Sequence, residues 1–218
     1  MCAAPLFDLH CRRCPRLASY LDEVKEQYPD YHARPVPSFG PKHPRLLIVG
    51  LAPGVHGANR TGRPFTGDHA GRLLYETLHA LGLSNQPESA HRRDALALHH
   101  CRITNAVKCV PPRNKPVGAE VRNCNDFLAA ELAAVARGGV TLALGVVAHG
   151  AVLKALALRP KDFAFGHGYE HRLGDGRWLV DSYHCSRYNT QTRRLTTAMF
   201  RRVMGRARTL AKIPPERG

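Results

Sequence analysis

The chain has 218 residues, 44% of them hydrophobic, enough for one domain with a sizeable core. It carries 32 Lys and Arg against 17 Asp and Glu, a formal charge of +15. That excess points to an anionic partner, with nucleic acid or a phosphorylated ligand ahead of an acidic membrane surface. No apolar run approaches the ~18 residues of a transmembrane helix, and the opening MCAAPLFDLHCRRC lacks the apolar stretch of a signal peptide. A cytoplasmic protein is expected, and there seven cysteines suit metal ligation or burial better than disulfides.

Cys11 and Cys14 form a Cys-x-x-Cys pair, which is half of a metal or cluster site or else a redox pair. Pro15 suits the first turn of a helix running to about Tyr28, with Leu17, Leu21 and Val24 on one face. Pro35, Pro37, Pro41 and Pro44 make 29–45 an irregular connection. The run Leu46-Leu47-Ile48-Val49 predicts a buried parallel strand over about 45–51. It breaks at Gly50 into a long loop rich in Gly, Pro, Asn and Thr, and long loops in compact domains are often functional. Phe65, Asp68 and the glycines of this loop suggest a pocket for something flat.

A helix is expected from about His69 to Gly82, then a polar, ambiguous stretch over 83–99. A second strand, about Cys101–Val107, runs into the stiff turn Lys108-Cys109-Val110-Pro111-Pro112. A helix over about 118–137 carries Cys124 in its first half. A third strand, Val140–Leu144, is followed by a helix to about Leu158. Gly174-Asp175-Gly176 marks a turn, so 169–180 is a candidate hairpin edge. A fourth strand, Trp178–Tyr183, ends in His184-Cys185-Ser186-Arg187-Tyr188-Asn189-Thr190, and a last helix is expected over about 190–213.

Strand and helix alternate four times, which predicts an α/β fold with a mainly parallel sheet covered on both faces. Polar clusters at 53–68, 105–109 and 184–189 then fall at strand carboxyl ends and converge at one edge of the sheet, where such folds bind ligands. Asn105 offers a donor and an acceptor suited to the edge of a nucleobase, or else serves as a cap. Asp68 is a candidate acid or base and equally a candidate N-cap for the helix after it. Cys11, Cys14, Cys109 and Cys124 would suit a tetrahedral zinc or an iron–sulfur cluster, while Cys2, Cys101 and Cys185 read as non-ligands. From Arg193 to Lys212 there are seven Lys and Arg and no acid, either a solvated face or a phosphate-binding one. Neither GxGxxG after the first strand nor GxxxxGK[ST] is present, which argues against an ordinary nucleotide-binding protein.

Several segments together resemble the iron–sulfur members of the uracil-DNA glycosylase superfamily: GLAPG (50–54), GRPFTGD (62–68), TNAVKCVPP (104–112), Cys124 and HCSRYNTQT (184–192). The extended HGANRTGRPFTGD and the HCSRYNTQT loop look like family 5. The sister family 4 has an acid in its GEAPG motif; Leu51 stands there in this chain, which turns attention to Asp68. The resemblance implies a three-layer α/β/α sandwich around a four-stranded parallel sheet. It implies a single domain, a monofunctional enzyme acting as a monomer on DNA with damaged bases, chiefly uracil and by extension hypoxanthine. It implies a [4Fe-4S] cluster on Cys11, Cys14, Cys109 and Cys124. Catalysis would fall to Asp68, His184 and Asn105. The base would lie among Gly50, Leu51, Ala52, Phe65, Asn105 and His184, and the DNA would meet Ser186, Arg187, Tyr188, Asn189, Arg193 and Arg194. The competing expectation is a catalytically inactive nucleic-acid-binding protein built on a cluster or zinc.

Overall fold

The computed structural model describes residues 7–214; Cys2 lies outside them. Four short strands, β1 (Leu46–Gly50), β2 (Cys101–Asn105), β3 (Val140–Leu144) and β5 (Trp178–Ser182), pair in parallel. These are the four strands expected. A fifth, β4 (Glu170–Arg172), joins β5 in antiparallel fashion, and the spatial order is β2-β1-β3-β5-β4. The all-parallel, four-stranded sheet is thus corrected to a mixed one of five strands. The turn at 174–176 is the cause, because it folds 170–180 into a hairpin whose first arm extends the sheet edge.

The pleat of β1 explains the layering. Leu46 and Ile48 point into one apolar cluster, Leu47 and Val49 into another on the opposite face. The first cluster is covered by α3 (His69–Ala80) and α7 (Thr197–Leu210), through residues such as Leu74, Leu78, Phe200 and Met204. The second is covered by α4 (Gly118–Ala133) and α5 (Val146–Ala155), through Leu128, Leu132, Ala151 and Val152. A strand buried on both faces must be apolar at consecutive positions, as LLIV is. The three-layer sandwich therefore holds.

Helix α1 (Pro15–Gln27) sits outside the sandwich, where Leu17 and Leu21 pack with Val107 and Val110. The Arg16 guanidinium donates to Glu120 at 2.7 and 2.8 Å and so ties α1 to the start of α4. Glu120 also accepts from the N–H of Val117 at 2.8 Å and helps cap α4.

The single last helix expected over 190–213 is two helices. Helix α6 (Arg187–Gln191) stops where Leu195 turns inward and its N–H reaches Asn189 O at 3.0 Å. Thr196 then starts α7 as N-cap, accepting from Met199 N at 3.2 Å. One turn of helix, α2 (Ala58–Thr61), within the loop after β1 was not foreseen, and the ambiguous stretch over 83–99 takes irregular turns anchored by the ion pair Arg63–Asp94 at 2.6 Å. No helix among the described residues is long and apolar enough to cross a membrane.

Candidate active site

Because β1, β2 and β5 run in parallel, their carboxyl ends meet at one edge. Gly50 ends β1 and is paired in register with Asn105, which ends β2. A β-carbon on Gly50 would collide with the Asn105 side-chain oxygen and come 2.6 Å from Cζ of Phe65. Glycine is required here because the amide and the ring both close on the strand end. Phe65 is buried and has a left-handed backbone, φ 53°. Its ring lies 5.8 Å from that of His184, with 26° between the planes. Leu51 and Ala52 follow Gly50 half-buried, and Ala52 packs against the cluster around Cys109 and Cys124.

His184 follows β5, whose exit is held from several sides. The Tyr183 ring stacks on His167 at 5.1 Å, its N–H donates to His167 Nδ1 at 3.2 Å, and the Arg194 guanidinium lies 4.6 Å from the ring centre. Asn189 Nδ2 donates to His184 O at 2.8 Å. Burial lowers the His184 pKa to about 4, although the residue keeps some contact with solvent. At neutral pH the ring is uncharged and carries one N–H.

Asp68 divides its two oxygens. Oδ1 accepts from Gly71 N at 2.8 Å and caps α3, so the cap reading of this residue is realised. Oδ2 lies toward Gly57 and Gly54 and accepts no hydrogen bond among the described residues. It faces a cleft of about 900 Å³ whose walls also include Arg72, Asn114 and Arg187. Burial raises the Asp68 pKa against the opposing N–H groups of Gly71 and Ala70. The same carboxylate adds to the burial that pushes up the Cys185 thiol, which sets Asp68 close to the His184 loop.

Of the residues expected on DNA, Ser186 caps α6, accepting from Asn189 N at 3.4 Å. Arg187 is exposed on the cleft, and Tyr188, next to it in α6, is 70% exposed. Arg193, in a left-handed conformation at φ 57°, and Arg194 lie in the α6–α7 connection and not on a helix, as a consequence of the break described above. Arg194 is partly engaged by Tyr183. Farther along, Arg206 is taken up by Glu170 at 2.8 and 2.9 Å, while Arg201 and Arg202 stay exposed.

Cys109 and Cys124 are buried together with half-buried Cys14 alongside, and none of the six described cysteines is in a disulfide. Burial pushes the Cys109 thiol up, and Cys124, Cys11 and Cys14 push it further, as expected of four thiols sharing one place. Asn123 Nδ2 donates to Cys14 Sγ at 3.4 Å. Among the described residues no three of these thiols lie within 4.8 Å of one another. Cys101 and Cys185 are fully buried in the main core, apart from this set.

The description of the uracil DNA glycosylase superfamily matches residues 37–208. The chain belongs to that superfamily. A type-5 uracil-DNA glycosylase of Thermus thermophilus is 48% identical over 208 residues, spanning 93% of this chain and 94% of its own. A type-5 uracil-DNA glycosylase of Pyrobaculum aerophilum is 45% identical over 203 residues, spanning 91% and 88%. A type-4 uracil-DNA glycosylase of Archaeoglobus fulgidus is 35% identical over 138 residues, spanning 63% and 55%.

In this member of the uracil DNA glycosylase superfamily, the structure brings Gly50, Phe65, Asn105 and His184 together, while Asp68, on the same loop as Phe65, faces the neighbouring cleft with Arg187. Sequence reasoning passed over two side chains here. His69 Nε2 bonds Thr190 Oγ1 at 2.9 Å and braces the His184 loop against α3; its position directly after the cap residue was the available signal. Lys108, inside the TNAVKCVPP motif, turns away from the pocket. It is fully buried, donating to Glu131 at 3.0 Å and to Thr104.

Proposed function

We propose that this chain is a monomeric cytoplasmic DNA glycosylase that excises uracil by hydrolysing its N-glycosidic bond, the first step of base excision repair. The observation that carries the reading is the meeting of Asn105, Phe65 and His184 at the carboxyl ends of β1, β2 and β5, with the free oxygen of Asp68, from the Phe65 loop, on the adjoining cleft. The type-5 names of relatives aligned over most of the chain support it. They also disfavour a catalytically inactive binder.

The chemistry follows from the geometry. The bond between C1′ and the base is out of reach in a stacked duplex, so the nucleotide must leave the stack. Tyr188, exposed as a wedge must be, fills the gap, and Arg187, exposed on the cleft, holds a phosphate. The base stacks on Phe65, and the Asn105 amide pairs with its polar edge. As the bond breaks, its electron pair leaves with the base and charge builds on a base carbonyl oxygen. The single N–H of uncharged His184 is the donor for that charge, and one such preorganised donor is worth roughly 3–4 kcal/mol. Asp68 Oδ2 orients a water whose oxygen bonds to C1′ and whose proton passes to the carboxylate. Lys108 is committed to Glu131, so no lysine adduct forms and the strand is left uncut.

We further propose that Cys11, Cys14, Cys109 and Cys124 hold a [4Fe-4S] cluster. Its contribution would be structural, tying α1 to the turn after β2 and to α4. The thiol set supports this through its burial and its convergence.

The test is a set of oligonucleotides carrying uracil, hypoxanthine or thymine opposite guanine, incubated with the protein and then treated with alkali. Strand scission at uracil is expected, and scission at hypoxanthine would extend the range. Intact strands across several salt concentrations would reject the enzyme reading.

A further inference from the structure

On the face of the sheet that carries α5, His149 from α5, His171 from β4 and Asp181 from β5 converge, with a ligand atom of each within 4.8 Å of the others. We propose that these three side chains form a binding site for one divalent transition-metal ion of the zinc class, separate from the cysteines and from the base pocket.

The carboxylate is the first reason. Asp181 is fully buried. Its Oδ1 lies 2.8 Å from His149 Nδ1. Its Oδ2 is buried without a hydrogen bond, 3.6 Å from His171 Nε2. An idle oxygen on a buried carboxylate is costly, and among the described residues no Lys or Arg pairs with it. A cation between the two imidazoles would satisfy it.

The second reason is the orientation of His149. Its Nε2 lies 3.0 Å from Phe163 O. Metal-binding histidines are commonly held this way, one nitrogen donating to a carbonyl and the other left for the metal. Here that leaves Nδ1, the atom already turned toward Asp181. His171 completes the set by exchanging its contact with Ala164 O, now at 3.1 Å. Phe163 and Phe165 set their rings across those of His171 and His149, so the site is walled by apolar groups.

Two imidazoles and one carboxylate suit zinc or cobalt better than magnesium or calcium, which favour oxygen alone. The side chain of His171 retains 15% exposure, which gives the ion an entry and a solvent molecule the fourth position. The ion would staple the three-residue edge strand β4 and the 163–168 loop to α5 and to β5, the strand that leads to His184. Nothing in this proposal depends on glycosylase activity.

The test uses cobalt(II), with the cysteine site left as purified. One tightly held cobalt per chain is expected, with d–d absorption of nitrogen and oxygen ligation, no thiolate charge-transfer band, and a higher melting temperature. His171→Ala alters the least buried ligand, so its fold should persist, and it should weaken cobalt binding by at least about tenfold. A thiolate band from all of the bound cobalt, no retained cobalt, or unchanged affinity in His171→Ala would each overturn the proposal and leave the trio a hydrogen-bonded ion pair.

Discussion

A β-carbon on Gly57 would lie 2.5 Å from Oδ2 of Asp68 and 2.8 Å from its Cβ. Gly57 therefore makes room for the whole Asp68 side chain, both the oxygen that caps α3 and the one that faces the cleft. Gly57→Ala should push the carboxylate out of place. Displacements of about 1 Å cost on the order of 100-fold in rate, so a loss of that size is expected in single-turnover excision of uracil, with abasic-site DNA still bound.

Asp68→Asn separates the two roles of that side chain. Asparagine caps helices as well as aspartate does, so the melting temperature should stay near that of the parent while excision falls sharply. Asp68→Ala should lower both, with the lost cap costing roughly 1 kcal/mol. If Asn restores activity as well as stability, Asp68 is a cap alone.

The pH profile should have its acid limb set by Asp68. Burial raises this carboxyl's pKa, so activity that needs the ionised form is lost as pH falls through a value above the ordinary aspartate range. His184 stays uncharged down to about pH 4 and does not contribute a limb near 6.5. It does affect stability. A histidine whose pKa is depressed by folding contributes no penalty above about 6.5 and an increasing one as pH falls toward about 4, because the unfolded chain binds the proton more readily. Melting temperature measured from pH 7 to pH 4 should fall less steeply in His184→Gln than in the parent.

Arg187→Ala should weaken binding to DNA of any sequence. The slope of log affinity against log salt should shrink by about 0.9 for one lost phosphate contact. An unchanged slope would place Arg187 away from the backbone.

The protein as purified should contain iron. Cys124→Ser should lose it and destabilise the packing of α1 on α4, whereas Cys101→Ser should keep it, since Cys101 lies in the main core away from the other thiols. One zinc per chain and no iron would reject the cluster assignment.

Much of this site was legible in the chain itself, because local patterns report local structure. The LLIV run, the β-branched residues near 103–107 and the helical spacing after His69 each mark an element by periodicity alone. Parallel strands then force the polar clusters at 53–68, 105–109 and 184–189 to one edge, which is why their convergence is readable from the order of elements alone. The resemblance added the roles of their residues. Within the motifs, spacing could not tell that Arg193 and Arg194 stand between two helices, because the break depends on Leu195 reaching a core built from distant residues.

By itself, then, the sequence determined the order of the four parallel strands and the helices that cover them, the edge where the polar loops meet and the excess of cationic side chains. Tertiary structure decided what depends on neighbours far apart in the chain. It aimed the second oxygen of Asp68 at the cleft, turned Lys108 toward Glu131, and gathered His149, His171 and Asp181 from three elements. The physical reason is that periodicity encodes which face a residue takes, whereas the partner it meets there is set only when the sheet and its covering helices pack.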